Sequence, residues 1–257
     1  MKNRPFVVEI VPYHRDNYAY LLHCPQSPFT ALFDCGDAAP VLERLRKRNW
    51  DLTHIFATHY HSDHTFGISE LMARYPNSRF FKPAGESRLD HTSRELEDGD
   101  RIPLGNRSVR AIGVPAHTRS CTSYLIEDCL FVGDALFSAG CGRLFEGSAG
   151  DLMAAMDRFD SLPDDTKVYP GHEYTESNLK FALFVEKDSR EIREYLDTVA
   201  DKRARGEFTV PTTIGREKRI NPFLRIDRES VWRRVDSGGE MDRVWRIAAL
   251  RRLKDGF

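Results

Sequence analysis

The sequence predicts a mixed α/β domain followed by a helical segment, and three observations support this prediction. Short apolar or alternating runs, separated by turn residues, recur through roughly the first two thirds of the 257 residues, as β-strands do. Stretches between these runs show the 3.6-residue spacing of amphipathic helices. Beyond about residue 172 the strand pattern stops and an almost continuous helical pattern begins. We therefore predict two domains, residues 1–172 and residues 173–257.

The first domain is expected to contain nine short strands and three helices. The strands are Phe6–Pro12, Tyr18–His23, Phe29–Phe33, Leu52–Ala57, Arg79–Lys82, Val109–Val114, Thr122–Glu127, Cys129–Gly133 and Lys167–Tyr169. The helices are Ala38–Asn49, Ile68–Tyr75 and Asp151–Leu162, of which the last has Asp151 as its expected N-cap. In the second domain, Thr175–Arg205 is helical apart from a break at Glu186–Ser189, and no later segment is expected to form a strand.

Composition and charge argue against several classes of partner. The formal net charge is −1, with 30% charged and 40% apolar residues, so general attraction to nucleic acid or an anionic membrane is not expected. No run approaches the roughly 20 apolar residues of a membrane-spanning helix, and Phe6–Pro12 is too short for the core of a signal peptide. The five cysteines are odd in number and contain no CxxC pair. We expect a cytoplasmic monomer with free thiols.

The strongest functional signal is the segment 58–64, which reads Thr-His-Tyr-His-Ser-Asp-His directly after a predicted strand. In an extended loop, side chains two residues apart point the same way, so His59 and His61 can converge on one ion while Asp63 and His64 turn to a second position. Imidazole suits zinc, iron or copper, and a mixed histidine–carboxylate set leaves room for water. A purely structural role is the poorer interpretation, because these residues gain no apolar burial.

A pair of metal ions needs further ligands, and candidates lie at the ends of other strands. His117, Asp134 and His172 each follow an apolar, strand-like run, so each could reach the same edge of a sheet. Taken singly these signals are weak, because a histidine after a strand is incidental more often than not and Asp134 also suits a turn.

Together these residues resemble the metallo-β-lactamase superfamily, and further segments are similar to its glyoxalase II branch, the hydroxyacylglutathione hydrolases. The segments are 16–18 (Asp-Asn-Tyr), 141–147 (Cys-Gly-Arg-Leu-Phe-Glu-Gly), 171–175 (Gly-His-Glu-Tyr-Thr), 178–182 (Asn-Leu-Lys-Phe-Ala) and 251–257 (Arg-Arg-Leu-Lys-Asp-Gly-Phe). The resemblance covers nearly the whole chain. It implies a four-layer αββα sandwich that holds two ions at one edge, followed by a helical domain.

The resemblance also implies a role for each ligand. The first metal ion would be bound by His59, His61 and His117, the second by Asp63, His64 and His172, and both by Asp134 as a bridge. The ions would be zinc, with iron or manganese as alternatives. A hydroxide shared by the two ions, held beside Asp134 and Asp63, would attack a thioester carbonyl, and the thiolate would leave without a dedicated general acid.

The implied substrate is a glutathione thioester, S-D-lactoylglutathione, which would be cleaved to glutathione and D-lactate in the second step of methylglyoxal detoxification. The residues implied to bind it are Arg143, Leu144, Phe145, His172, Tyr174, Asn178, Arg251 and Lys254. Arg251 and Lys254 would hold a carboxylate of the peptide through charge-assisted hydrogen bonds. Without the resemblance, a basic cluster at the end of a helix is more simply explained by the helix dipole.

The chain departs from the family pattern in two places, at residues 120–121 and at residue 145. Ser120 and Cys121 stand where relatives carry a glycine and a histidine, and Cys121 is expected to be a small buried side chain rather than a ligand. Phe145 stands where some relatives carry a tyrosine, which removes one possible hydroxyl contact to the substrate. A nucleophilic role for Ser120 or Cys121 beside His117 is the weaker interpretation, because His117 serves better as a ligand.

Other activities of the same fold are the main alternatives. A persulfide dioxygenase uses a single iron and needs only the first ligand set, whereas this chain keeps both sets. A β-lactamase is disfavoured because no export signal is visible. A nucleic-acid-processing enzyme is disfavoured because the net charge is −1 and no long basic stretch occurs.

Overall fold

The computed structural model describes residues 6–89 and 94–257, which form twelve strands and nine helices. The chain divides into two compact units. Unit 1 comprises the described residues up to Gly113 together with Ser120–Glu127 and Phe131–Gly133, and unit 2 comprises Val114–Arg119, Asp128–Leu130 and Asp134–Phe257. Within the described residues, no helix is long and apolar enough to cross a membrane.

The first sheet lies in unit 1 and has six strands in sequence order. They are β1 (Val7–Tyr13), β2 (Asn17–His23), β3 (Thr30–Phe33), β4 (His54–Phe56), β5 (Arg79–Pro83) and β6 (Arg94–Leu96). Strands β1 to β3 pair antiparallel, whereas β3 to β6 pair parallel. In the parallel part, Phe33 at the end of β3 is paired with Phe56 at the end of β4. The residues that follow these two strands therefore emerge side by side at one edge of the sheet.

Unit 1 also contains α1 (Ala38–Arg48), α2 (Ser62–Thr65), α3 (Ile68–Arg74) and three antiparallel strands, β7 (Arg101–Leu104), β8 (Arg107–Gly113) and β9 (Thr122–Ile126). Helix α1 buries Val41 and Leu45 in a cluster with Leu32 and Ile55 of the first sheet. The side chain of Asp37 caps its first turn by accepting a hydrogen bond from the Ala39 N–H (3.0 Å).

Unit 2 contains strands β11 (Lys167–Pro170) and β12 (Thr212–Thr213), and most of the helices. The helices are α4 (Ala149–Asp160), α5 (Thr175–Val185), α6 (Arg190–Ala204), α7 (Ile214–Ile220), α8 (Glu229–Trp232) and α9 (Arg243–Asp255). With β10 (Cys129–Gly133), the second sheet has the strand order β12-β11-β10-β9-β8-β7. A core cluster joins Leu179 of α5, Val199 of α6 and Ile220 of α7 to Ala139.

The predicted strands and helices of the first domain all occur, and the break between α5 and α6 falls at the predicted residues. The assignment of Asp151 as an N-cap is wrong. Ser148 caps α4, and the Asp151 side chain accepts a hydrogen bond from the Ser148 N–H (2.7 Å) in a capping box.

The expectation of no late strand is also wrong, because β12 pairs with β11. This strand has only two residues, too few to show a period-2 pattern in the sequence. The five cysteines are free thiols, as predicted, and all of them are buried.

Candidate active site

The first group of candidate ligands follows strands β3 and β4. The N–H of Asp34 donates to the carbonyl of Phe56 (2.9 Å), so the residues after the two strands are neighbours. Residues 58–61 are irregular, and α2 then places Asp63 and His64 on one helical turn. The predicted change of direction at Asp63 and His64 therefore takes the form of a short helical turn. The helical turn redirects the second half of the segment 58–64.

A buried carboxylate organises this group. Asp34, 3% exposed, accepts hydrogen bonds from the Thr58 N–H (2.7 Å), the Thr58 hydroxyl (2.8 Å) and His64 Nδ1 (3.0 Å). Because a carboxylate can only accept, His64 carries its proton on Nδ1 and presents Nε2 as a lone pair. The single Thr58 hydroxyl proton goes to Asp34, so this hydroxyl accepts from His59 Nδ1 (3.0 Å). Asp34 thereby sets the tautomer of both His59 and His64.

The two histidines at the start of the segment face one another. His59 Nε2 lies 3.1 Å from His61 Nδ1, and the two rings are nearly perpendicular. Two imidazole nitrogens bound to one tetrahedral zinc ion at 2.0–2.1 Å lie roughly 3.3 Å apart. The pair is therefore spaced as two ligands of one cation are.

Side chains of the first two strands, β1 and β2, donate hydrogen bonds to Asp63. The amide of Asn17 donates to Asp63 Oδ2 (3.0 Å), and the Tyr13 hydroxyl donates to the Asp63 carbonyl (2.7 Å). Burial, reinforced by the charge of Asp34, raises the pKa of Tyr13, so its hydroxyl stays protonated and remains a donor. His64 Nε2 lies 3.5 Å from the same Asp63 oxygen. These contacts bring the carboxylate and the imidazole together.

The remaining candidate ligands lie together in unit 2. Asp134 Oδ2 is 3.6 Å from His117 Nε2 and 3.4 Å from His172 Nε2. His117 Nδ1 donates to the carbonyl of Arg143 (2.8 Å), so its Nε2 carries the lone pair that faces Asp134. The ring of His172 stacks on that of Tyr174, with centroids 4.6 Å apart. One carboxylate oxygen is thus within reach of two oriented imidazoles.

Two glycines permit the close backbone packing around these side chains. A Cβ at Gly36 would lie 2.1 Å from the carbonyl oxygen of Asp63. A Cβ at Gly142 would lie 2.1 Å from the carbonyl oxygen of Asp134 and 2.9 Å from His117 Nδ1. Any larger residue at either position would displace a candidate ligand.

The donor atoms of both groups fit divalent cations. Imidazole nitrogens and carboxylate oxygens converge in each group, and Asp34 and Asp134 lie in buried surroundings, where an uncompensated carboxylate charge would be costly. Outer partners fix the rings of His59, His64 and His117, as is usual for histidines that bind metals. The donor set is rich in imidazole, which is typical of transition metals and zinc rather than of calcium or magnesium.

A cavity of about 610 Å³ adjoins the group in unit 2. Its lining consists of His117, Asp134, Phe137, Cys141, Gly142, Arg143, Phe145, Tyr174, Ser177, Asn178, Lys180, Arg251, Lys254, Asp255 and Phe257. Four of these side chains are cationic and two are carboxylates, so the cavity favours an anionic ligand. Six of the eight substrate-binding residues implied by the resemblance are among them.

The two cations near the end of the chain differ in how they are held. Arg251, 5% exposed, donates to the carbonyl of Cys141 (2.9 Å) and pairs with Asp255 (3.1 Å). Lys254 Nζ lies 4.8 Å from the centre of the Phe181 ring. Burial, followed by the nearby charge of Arg251, lowers the pKa of Lys254 to about 8. Arg251 is largely committed to the protein, whereas the ammonium of Lys254 is better placed to bind a ligand.

The other residues that the resemblance implies for substrate binding differ in exposure and in whether they line the cavity. The Phe145 side chain is 61% exposed at the cavity. Asn178 is buried, and its amide donates to the carbonyl of Ser138 (3.1 Å). Leu144 is half-buried and His172 is buried, and neither belongs to the described residues that line the cavity.

The structure also places Ser120 and Cys121, the first departure from the family pattern. Cys121 is buried, 3% exposed, in keeping with a small core side chain. The Ser120 hydroxyl donates to a carboxylate oxygen of Glu86 (2.7 Å). Glu86 is itself 1% exposed and accepts hydrogen bonds from Arg88. Ser120 is therefore part of a polar cluster around the buried carboxylate of Glu86.

Sequence reasoning missed the role of Asp34. The available signal was the Asp-Cys-Gly-Asp run directly after a predicted strand. Interpreting it requires knowing that β3 and β4 are parallel neighbours, which the local pattern does not reveal.

We expect Asp34→Asn to weaken metal binding and thioester cleavage by roughly 10- to 100-fold, the usual cost of losing an outer-shell partner. The carboxylate accepts on both oxygens, from the Thr58 N–H on Oδ1 and from the Thr58 hydroxyl and His64 on Oδ2, whereas an amide has only one acceptor oxygen and cannot satisfy both sides. Metal content after dialysis and kcat/KM would be measured. The control is Asp37→Asn, which alters a helix cap three residues away. Equal effects of the two substitutions would show that Asp34 has no specific role.

The chain is similar to known proteins over nearly its whole length. A family model described as Metallo-beta-lactamase superfamily matches residues 15–172, and one described as Hydroxyacylglutathione hydrolase C-terminus matches residues 173–257. The chain is 41% identical to the hydroxyacylglutathione hydrolase of Photobacterium profundum, over 97% of this chain and 99% of that protein. It is 42% identical to that of Aliivibrio salmonicida, over 98% and 99% respectively.

Solved structures agree on the fold. The crystal structure of ETHE1 from Myxococcus xanthus is similar with a TM-score of 0.66 and 25% identity, over 96% of this chain and 98% of that chain. The predicted fold class, a metallo-β-lactamase fold with a C-terminal helical domain, is confirmed. The near full-length matches at about 40% identity show that the chain belongs to the hydroxyacylglutathione hydrolase family of the metallo-β-lactamase superfamily.

Proposed function

We propose that the chain hydrolyses S-D-lactoylglutathione to glutathione and D-lactate, the second step of methylglyoxal detoxification. The observation that carries this proposal is the cationic cavity beside His117 and Asp134. A glutathione thioester has carboxylates remote from its reacting carbonyl, so its binding site needs cations at a distance from the ligands of the metal ions. The names of the relatives that match nearly the whole chain support the same class of substrate.

We assign the candidate ligands to two divalent ions. One ion would be held by His59, His61 and His117, the other by Asp63, His64 and His172, and Asp134 would bridge them. The ring tautomers and the facing nitrogens within each unit support this assignment. We propose zinc, with iron or manganese as alternatives. When bound, two such ions supply a water that loses its proton near neutral pH and stabilise negative charge on the thioester oxygen.

The side chains of the cavity would bind and orient the substrate. Lys254 and Arg251 would hold the terminal carboxylate of the peptide, while Arg143 offers a further cation that is 67% exposed. The thiolate released on cleavage is stable near neutral pH, so no side chain needs to donate a proton to it.

In this proposal residues 1–172 carry the metal ligands and residues 173–257 complete the substrate site. The helical part contributes Tyr174, Asn178, Arg251 and Lys254, and the loop 143–145, including Leu144 and Phe145, comes from the first part. His172 stands at the junction, where its ring stacks on Tyr174.

Titrating the chelator-treated protein with Zn²⁺ while following thiol release tests the assignment of two ions. We expect activity to rise until about two equivalents of Zn²⁺ have been added. Iron and manganese would be titrated in the same way. Full activity with a single equivalent of iron and a requirement for oxygen would contradict the proposal and favour a persulfide dioxygenase.

The pH dependence of substrate binding tests the role of Lys254. Since its pKa is lowered to about 8, the ammonium loses its charge as the pH rises through that value. We expect KM for S-D-lactoylglutathione to rise between about pH 7 and pH 9, and kcat/KM to fall with it. The same profile for Lys254→Ala should be flatter. A wild-type KM that stays constant over this range would contradict a Lys254 ammonium that both loses its charge near pH 8 and binds the carboxylate.

We also propose that the protein acts as a monomer in the cytoplasm, on a small-molecule substrate and without nucleic-acid or membrane partners. The free thiols of the five cysteines support a reducing compartment. Light scattering during gel filtration should give a mass near 29.6 kDa, and a stable dimer would contradict the monomer.

A further inference from the structure

Glu217 on α7 is a carboxylate in the interior of unit 2. Its side chain is 0% exposed, which is rare for glutamate unless the group is fully hydrogen-bonded. Glu217 Oε2 accepts from the Ala139 N–H (2.7 Å) and the Asn221 amide (3.0 Å), and Oε1 accepts from the Thr212 hydroxyl (2.7 Å). Burial outweighs these hydrogen bonds and raises the pKa of Glu217 to about 7. The proposed thioester chemistry makes no use of this group.

Through Ala139 and Asn221, Glu217 is connected to a tight turn at residues 137–140. Ala139 has a φ of 57°, in the left-handed region that non-glycine residues rarely adopt. The Phe137 N–H donates to the Gly140 carbonyl (2.9 Å) across the turn. A turn that places alanine in this conformation needs support from its surroundings.

That support comes from buried side chains of the helical segment. The Asn221 amide donates to the carbonyls of Phe137 (3.3 Å) and Gly140 (3.0 Å), as well as to Glu217. The Asn178 amide donates to the carbonyl of Ser138 (3.1 Å). Glu217 accepts from the N–H of Ala139, the remaining residue of the turn, and the same oxygen accepts from the Asn221 amide and so orients that amide toward the turn.

Residues at the start of the turn and just after it line the substrate cavity. Phe137 lines the cavity and packs edge-on against the Tyr174 ring (5.2 Å). Just after the turn, Cys141 also lines the cavity, and the carbonyl of Arg143 fixes the ring of His117. Glu217 itself is not one of the described residues that line the cavity. Any influence on binding must therefore pass through the turn.

We propose that Glu217 is a positioning residue, which fixes the turn at residues 137–140 and thereby the shape of the cavity that binds the glutathione moiety. This inference rests on the proposed function for its substrate, and on hydrogen bonding alone for its mechanism. It predicts that loss of the carboxylate weakens binding of the peptide part more than it slows the reaction at the carbonyl.

The test compares Glu217→Ala with Glu217→Gln in the metal-loaded full chain. In the glutamine variant the amide oxygen can accept from Ala139 and Asn221, while the amide nitrogen donates to the Thr212 hydroxyl. We expect Glu217→Ala to raise KM for S-D-lactoylglutathione about tenfold, the equivalent of one hydrogen bond, with kcat changed by less than about threefold. Glu217→Gln should restore KM to within about twofold of the wild type.

A matched control is Glu186, another buried carboxylate of unit 2, which accepts hydrogen bonds from Arg225 and Ser230. Glu186→Ala should lower the melting temperature without raising KM. An unchanged KM in folded Glu217→Ala, or equal increases in both alanine variants, would overturn the proposal. If Glu217→Ala does not fold, Asn221→Ala removes the neighbouring donor of the same turn and should raise KM in the same direction, and an unchanged KM in that variant would equally overturn it.

Amide hydrogen exchange separates this inference from the proposed function. We expect the peptide that covers residues 137–143 to lose protection in Glu217→Ala and to keep it in Glu217→Gln. Failure of the wild type to cleave the thioester would refute the proposed function, whereas the exchange result would still decide whether Glu217 holds the turn. Unaltered protection in the alanine variant would refute the role of Glu217.

Discussion

Replacing Asp134 by alanine is expected to deprive the protein of both metal ions and to lower kcat/KM by far more than about 100-fold. One carboxylate oxygen faces His117 at 3.6 Å and His172 at 3.4 Å, and these two histidines are assigned to different ions. Losing a bridge therefore weakens both sites, whereas losing an outer-shell partner costs only roughly 10- to 100-fold. Metal analysis by mass spectrometry and a thiol-release assay would measure the two effects.

Two further variants show whether the charge of Asp134 matters. Asp134→Asn keeps the shape of the side chain but removes its negative charge, so it should also lose metal. Asp188→Ala removes an exposed carboxylate and should leave both quantities unchanged. A protein with Asp134→Ala that retains two ions and full turnover would show that Asp134 is not a bridging ligand.

The second large effect is expected for Lys254→Ala. Its ammonium lies at the cavity, and a hydrogen bond to a charged group contributes about 1.5–3 kcal/mol, so KM should rise roughly 10- to 150-fold. A contact remote from the carbonyl stabilises the ground state and the transition state alike, so kcat should change little. Screening by salt at an open cavity would bring the effect toward the lower end of that range.

Controls for Lys254 come from the same helix and from a simpler substrate. Arg252→Ala removes an exposed cation of α9 that is not part of the described cavity lining, and it should leave KM unchanged. A small thioester without the peptide should be indifferent to Lys254→Ala. Equal losses on both substrates would show that the end of the chain has only a structural role.

Arg251→Ala is expected to raise KM as well, and also to lower the stability of the protein. The Arg251 side chain donates to the carbonyl of Cys141, which adjoins the turn at residues 137–140. Its removal leaves a buried acceptor without its donor and so costs stability in addition to affinity. Thermal unfolding measured beside KM separates the two contributions.

The predictable part of the site was the part encoded by neighbouring residues. His59, His61, Asp63 and His64 lie within six positions, and a cluster of ligand side chains at that density is rare outside metal sites. The strands that precede it were recognisable because their apolar runs are bounded by turn residues. The short helix that reorients Asp63 and His64 was missed, since four residues are too few for a helical period.

Side chains that act through long-range contacts could not be predicted from the sequence. Asp34 reaches Thr58 and His64 because two strands are parallel neighbours, and Glu217 reaches Ala139 across 78 residues of sequence. Each looks like an ordinary surface carboxylate in its local sequence. The burial of Arg251 was unforeseen for the same reason, because its partner Cys141 is 110 residues away.

The most direct test of the central claim is thiol release from S-D-lactoylglutathione by the metal-loaded protein under argon and in air. We expect one glutathione and one D-lactate for each thioester consumed, at the same rate in both atmospheres. We also expect kcat/KM to exceed that for a small thioester without the peptide by at least the roughly tenfold contribution of one charged contact. No cleavage by the loaded protein, or cleavage only in the presence of oxygen, would contradict the assignment as a glutathione thioester hydrolase.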